Sequence, residues 1–182
     1  MYPEIMDDPK YAEEAKRLMD EAIVYLDELI AKDEIVANGV VGIFPANSVG
    51  DSIEVYDEVT GELKEVLHTL RQQHERRDNE KNIALSDYIA PKESGYKDYI
   101  GLFAVTGGIN ADEVADRFKA KHDDYSSLMI RILATRFAEA FAEWLHEEVR
   151  KELWAYAPNE SLTLQEKLRT KYEGIRPAIG YP

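Results

Sequence analysis

Cysteine is absent from the 182 residues, which excludes a disulfide, a thiolate nucleophile and a Cys-ligated metal. Basic side chains are scarce. Lys and Arg number 22 against 36 Asp and Glu, a formal charge of -14. A surface of that sign repels polyanions, which argues against nucleic acid and anionic membrane as partners. No apolar run approaches the roughly 18 to 20 residues of a membrane span. Residues 1–9 are acidic and lack the apolar centre of a signal peptide. A cytoplasmic, reducing setting is therefore expected. Histidine is sparse too: His68, His74, His122 and His146 include no pair at a metal-motif spacing. Neither a dinucleotide fingerprint nor a P-loop pattern occurs, so Thr106-Gly107-Gly108 ahead of a helix is a weak phosphate-loop signal. No Ser-His-Asp arrangement can be argued from spacing.

What is present suits one soluble globular domain long enough to bury a core: 45% of residues are hydrophobic and 32% charged. Asp8-Pro9 reads as an N-cap followed by Pro at the first helical position. Ala15, Leu18, Ala22, Leu26 and Leu29 then recur at steps of three and four, predicting a helix over 9–32. Asn38-Gly39 signals a turn before a short strand over 40–44. Ile53 and Val55 alternate in a strand over 52–56, and Thr60-Gly61 punctuates. Residues 63–71 admit a second hairpin strand or a short helix. A polar loop over 72–81 precedes a strand over 83–89, stopped by Pro91. Residues 99–105 are nearly all apolar, which predicts a central strand covered on both faces. Helices follow over 110–121, 124–156 and 161–172. The longest carries Leu133, Phe137, Ala140 or Phe141, Trp144 or Leu145, Val149 and Leu153 as its apolar stripe. The fold class is α+β: a twisted antiparallel sheet with helices packed around it, including one long helix near 124–156.

Chemistry concentrates at the end, in Arg176-Pro177-Ala178-Ile179-Gly180-Tyr181-Pro182. The two prolines remove donors and hold the backbone extended. Gly180 lets the chain turn where a side chain would block a ligand. Arg176 offers a planar fork suited to a carboxylate or phosphate. Such a segment suits a small zwitterion with a flat ring. Glu139, Glu143, Glu147 and Lys151 form a face at four-residue steps, read as solvated with i,i+4 pairing. His146-Glu147-Glu148 reads as part of a solvated helix face. Asp123 or Asp124 is a candidate cap for the long helix. Arg71, Arg76, Arg77 and Lys81, with acids interleaved, read as a solvated loop. Asn47 and the loop over 91–95 read as turn elements.

The C-terminal segment also resembles the S-adenosylmethionine-binding motif of the activation, or reactivation, domain of cobalamin-dependent methionine synthase. Other stretches agree in order: Ala37-Asn38-Gly39-Val40-Val41-Gly42 running into Phe44-Pro45-Ala46-Asn47, Leu70-Arg71-Gln72-Gln73, Ala90-Pro91-Lys92-Glu93-Ser94-Gly95, Phe103-Ala104-Val105-Thr106-Gly107-Gly108, His122-Asp123-Asp124-Tyr125, Glu139-Ala140-Phe141-Ala142-Glu143 and Tyr156-Ala157-Pro158-Asn159-Glu160. The resemblance covers essentially the whole chain and favours the strand over 63–71. It implies that Arg176 pairs with the carboxylate of S-adenosylmethionine, that backbone around Ala178, Gly180 and Tyr181 lies against the adenosine, and that Glu139 acts on the ligand's cationic end. It implies no catalytic side chain and no metal ligand. The implied cofactors are S-adenosylmethionine and cobalamin, the latter held mainly by another module. The implied partners are the cobalamin-binding module of the same enzyme and flavodoxin or an equivalent reductase. The domain is expected to span 1–182, without the family's N-terminal and C-terminal segments. The alternative is a non-catalytic module, or a ligand-incompetent fragment, that docks on a corrinoid-binding domain.

Overall fold

A computed structural model describes residues 4–75 and 81–177. Ala178, Gly180, Tyr181, Arg76 and Arg77 lie outside the described residues. The chain forms two compact units, one of residues up to Gly39 with Ala104–Leu145, the other of Val40–Phe103 with residues from His146 onward.

The first unit is helical. Helix α1, Ala12–Lys32, starts three residues later than the periodicity predicts, yet Asp8 acts as expected: its carboxylate accepts the N–H of Lys10 and Tyr11. Asp33, at φ 51°, ends the helix. Helix α2 is Ala111–Lys119 and helix α3 is Asp124–Glu148. Asp123 caps α3, accepting Ser126 N–H at 3.0 Å and Ser126 Oγ–H at 2.6 Å, and these bonds hold its carboxyl below the usual range. Leu29 from α1, Ala111, Val114 and Ala115 from α2, and Met129, Ile130 and Leu133 from α3 make the core. Thr106-Gly107-Gly108 is a packing element. A Cβ on Gly107 would lie 2.1 Å from the Ala138 backbone nitrogen, and one on Gly108 2.6 Å from Ala134 Cβ. The two glycines let this segment touch the α3 backbone.

The second unit holds most of a sheet ordered β3-β2-β1-β4, from strands β1 Gly39–Val49, β2 Ser52–Tyr56, β3 Leu63–His68 and β4 Asp98–Val105. The pairs β1–β2 and β2–β3 are antiparallel. The fold class is α+β. Residues 63–68 are strand, which resolves the open choice there. Ile53 and Val55 share the buried face with Ala46, and Phe44, Leu67, Ile89 and Ile100 pack against them.

Four expectations need correction. Strand β4 is an edge of the described sheet, with Gly101, Leu102 and Ala104 exposed; its apolar composition resembles that of a central strand, but pairing is decided by remote partners. Residues 83–89 are not a strand. Leu85–Tyr88 is a single 3-10 turn, because the Asp87 carboxylate takes the Ala84 N–H at 3.0 Å and the fork of Arg71. The long helix leaves α geometry at Val149, continues as a π turn over Val149–Leu153, and is stopped by Ala155 at φ 58°. The helix expected over 161–172 is only α4, Leu164–Leu168, opened by a Thr163–Glu166 capping box and followed by Thr170 at φ 51°. None of the described helices is long and apolar enough to cross a membrane.

Candidate functional site

The π turn of the second unit begins the candidate site. Wide i→i+5 winding lets Val149 O accept the Trp154 N–H at 2.9 Å, and Arg150 O accepts the Ala157 N–H at 2.9 Å. The turn places Arg150 inward, where it is 2% exposed. Such a charge persists in the interior only with partners. Arg150 Nε and Nη2 donate to the two oxygens of Glu160 at 2.8 and 2.6 Å, a bidentate fork. The Tyr172 ring lies over the guanidinium, 4.3 Å from its centroid. Burial works against the Arg150 charge, but the Glu160 hydrogen bond and charge outweigh it and raise its pKa. The same hydrogen bond holds Glu160 below the usual carboxylate range.

His146 completes the group. It is 5% exposed, and its Nδ1 lies 2.8 Å from Arg150 Nη1. A guanidinium only donates, so Nδ1 accepts and the proton of the neutral ring is assigned to Nε2. Burial, then the charge of Arg150, then that of Arg176, push His146 down to about 4, while Glu160 opposes them. The expectation of a solvated His146 is therefore corrected. The ring also stands edge-on to Tyr172, with centroids 4.9 Å apart. Glu147, next on the helix, does pair with Lys151 as its spacing predicts, at 3.6 Å, and also with Lys167 at 2.5 Å.

Beside this group lies an open cleft of about 350 Å³ lined by residues 156–160 and Leu162 and by Lys171, Tyr172 and Glu173. Tyr156 and Tyr172 supply its aromatic surface, and Asn159, Glu160 and Lys171 its polar groups. Gly174, at φ 83°, turns the chain out of the cleft wall, and a Cβ there would meet the Tyr156 hydroxyl at 2.9 Å. Arg176 follows two residues later. It is half-buried and near enough to His146 for its charge to be felt.

Of the sequence-predicted residues that the structure describes, Arg176 lies in the same unit as this group, while Ala178, Gly180 and Tyr181 fall outside the described residues. Glu139 lies on α3 in the first unit, exposed, where it accepts from Arg136 Nη1 at 2.5 Å. Arg71 clamps Asp51 and Asp87 rather than forming a solvated patch, and its fork holds Asp87 down to about 2. Asn47 sits on β1 and donates to Ala90 O and Tyr96 O, pinning the loop over 91–95. Arg150, Glu160 and Tyr172 were missed as site residues. A signal existed: Arg150 falls four residues after His146 and next to the apolar-stripe residue Val149.

Among the described residues no group of His, Asp and Glu could hold a metal ion. The group brings together a half-buried cation, a buried ion pair and two phenol rings along an open cleft. The family described as vitamin B12 dependent methionine synthase, activation domain, matches over residues 1–182. A crystal structure of the MetH reactivation domain bound to AdoHcy is 53% identical, with a TM-score of 0.92. The match covers 100% of this chain, which spans 56% of the length of that one.

Proposed function

Because the chain belongs to the activation-domain family of vitamin B12 dependent methionine synthase, we propose that it binds S-adenosylmethionine and presents its methyl group for the reductive remethylation of cob(II)alamin. The observation that carries the reading is Arg176, a fixed cation two residues beyond Gly174 and within electrostatic range of the buried His146. The ligand's carboxylate takes the Arg176 fork. The cleft of about 350 Å³ falls in the range of small-molecule sites, roughly 300 to 1,000 Å³. Tyr156 and Tyr172 there offer ring faces to a purine. Ala178, Gly180 and Tyr181 are assigned to the adenosine, and Glu139 to the cationic end, on the resemblance.

Cobalamin, carried by the cobalamin-binding module of the same enzyme, supplies the cobalt nucleophile when bound, and flavodoxin or an equivalent reductase supplies one electron. This chain supplies position and electrostatics. No general acid or base is needed, since a sulfonium leaves as a neutral thioether. The parent is a methyltransferase, and this chain is its ligand-presenting part, active in the cytoplasm.

Calorimetric titration with S-adenosylmethionine, with ATP as control, tests the reading. Loss of a charge-assisted bidentate pair, about 1.5–3 kcal/mol, predicts about 10- to 100-fold weaker binding in Arg176→Ala. Arg176→Lys keeps the charge without the fork and falls between. Unchanged affinity in folded Arg176→Ala refutes the assignment.

A further inference from the structure

We infer that Arg150 is a positioning residue for the ligand segment, an inference that rests on the binding role proposed for Arg176. Burying an ion pair is poor economy for stability alone, because an apolar replacement of similar volume is often neutral or stabilising. Its value lies in directionality. From one buried residue, two separate stretches of chain are held, Glu160 and Tyr172 by its guanidinium. Ala157 is bound to the Arg150 carbonyl and Glu160 to its fork, which fixes one wall of the cleft. Tyr172, stacked on the guanidinium and edge-on to His146, fixes the other, four residues before Arg176. His146 takes up Nη1, so Nε, Nη1 and Nη2 are all engaged and the plane of the fork is set. Arg176 leaves this frame through Gly174, whose positive φ only glycine adopts freely. Arg150 thus acts through the backbone, by preorganising the approach to Arg176.

Two measurements on the full chain test this. The first needs no ligand: amide hydrogen exchange of Ala157 and Glu160, whose N–H groups are held by Arg150 O and Ala157 O in this wall. In Arg150→Ala and in Glu160→Gln these amides lose protection at least tenfold more than amides of β1 and β2 in the same unit. Exchange that rises evenly across the unit would mean mere stability loss and overturns the positioning role. The second is titration with S-adenosylmethionine. Arg150→Ala weakens binding about tenfold, and low-millimolar guanidinium, which refills the site opposite Glu160, restores it; Arg176→Ala is not restored. Unchanged affinity in folded Arg150→Ala overturns the inference, as does a deficit that guanidinium leaves untouched. Should Arg150→Ala not fold, Glu160→Gln, which keeps the shape, decides by both readouts. Failure of the unaltered chain to bind would refute the ligand assignment, and the exchange arm would then decide the positioning role alone.

Discussion

His146 makes a prediction whose size follows from its surroundings. Its ordinary value is 6.5, and in the fold it is held at about 4 by burial and by the charges of Arg150 and Arg176. The unfolded chain takes up a proton below pH 6.5, whereas the folded chain stays neutral until about 4. The unfolded state binds more protons across that window, so the contribution is whole above pH 6.5 and is lost as pH falls toward 4. The slope approaches about 1.4 kcal/mol per pH unit, which integrates to about 2 kcal/mol between pH 7 and pH 4.5. Glu147 and Glu160 are both lowered from 4.5, so their own losses set in only near 4.5, at the foot of this window. The control is His146→Gln, which offers Arg150 an oxygen acceptor without titrating. Urea unfolding at fixed pH, in a Trp144→Phe background so that only Trp154 of the second unit reports, gives stability curves for both chains. The two should converge as pH falls, by about 2 kcal/mol. Parallel curves, or a His146 ring that titrates near 6.5 by NMR in the folded chain, would refute the burial and charge argument.

Core and contact geometry make further predictions. Gly107→Ala sets a methyl against the Ala138 backbone, where no rotamer change can relieve it, and should destabilise the first unit by about 3 kcal/mol or more, read from its melting temperature. Ile130→Ala empties a site that is 1% exposed and should cost about 2–5 kcal/mol in urea. Thr163→Ala removes the cap of α4 at about 1 kcal/mol by the same measurement, leaving core amides unchanged. Asp87→Asn should make residues 83–89 exchange faster, since the fork of Arg71 loses a charged acceptor, while affinity for S-adenosylmethionine stays the same.

Features fixed by neighbours in sequence could be read directly. The cap at Asp123, the start of α1 behind Asp8, the alternation of Ile53 and Val55 and the Glu147–Lys151 pair depend on residues within a turn or a strand of one another. The family was legible too, because its ordered blocks are a property of the string. Other features depended on remote partners. An apolar 99–105 can be a central or an edge strand; only the sheet order places β4 at an edge. Asp87 turned an expected strand into a 3-10 turn because Arg71, sixteen residues away, shares its carboxylate. His146 and Arg150 carry side chains that belong in water by type, and a helical face of charges gives no reason to bury them. They go inside because Glu160 and Tyr172, brought back by the turn at Ala155 and the chain beyond α4, supply the bonds and the ring that desolvation requires. Sequence alone determined the kind of protein and the presence of a cation at Arg176. Tertiary structure decided what stands behind that cation, because the cost of burying charge is settled only where its partners meet it.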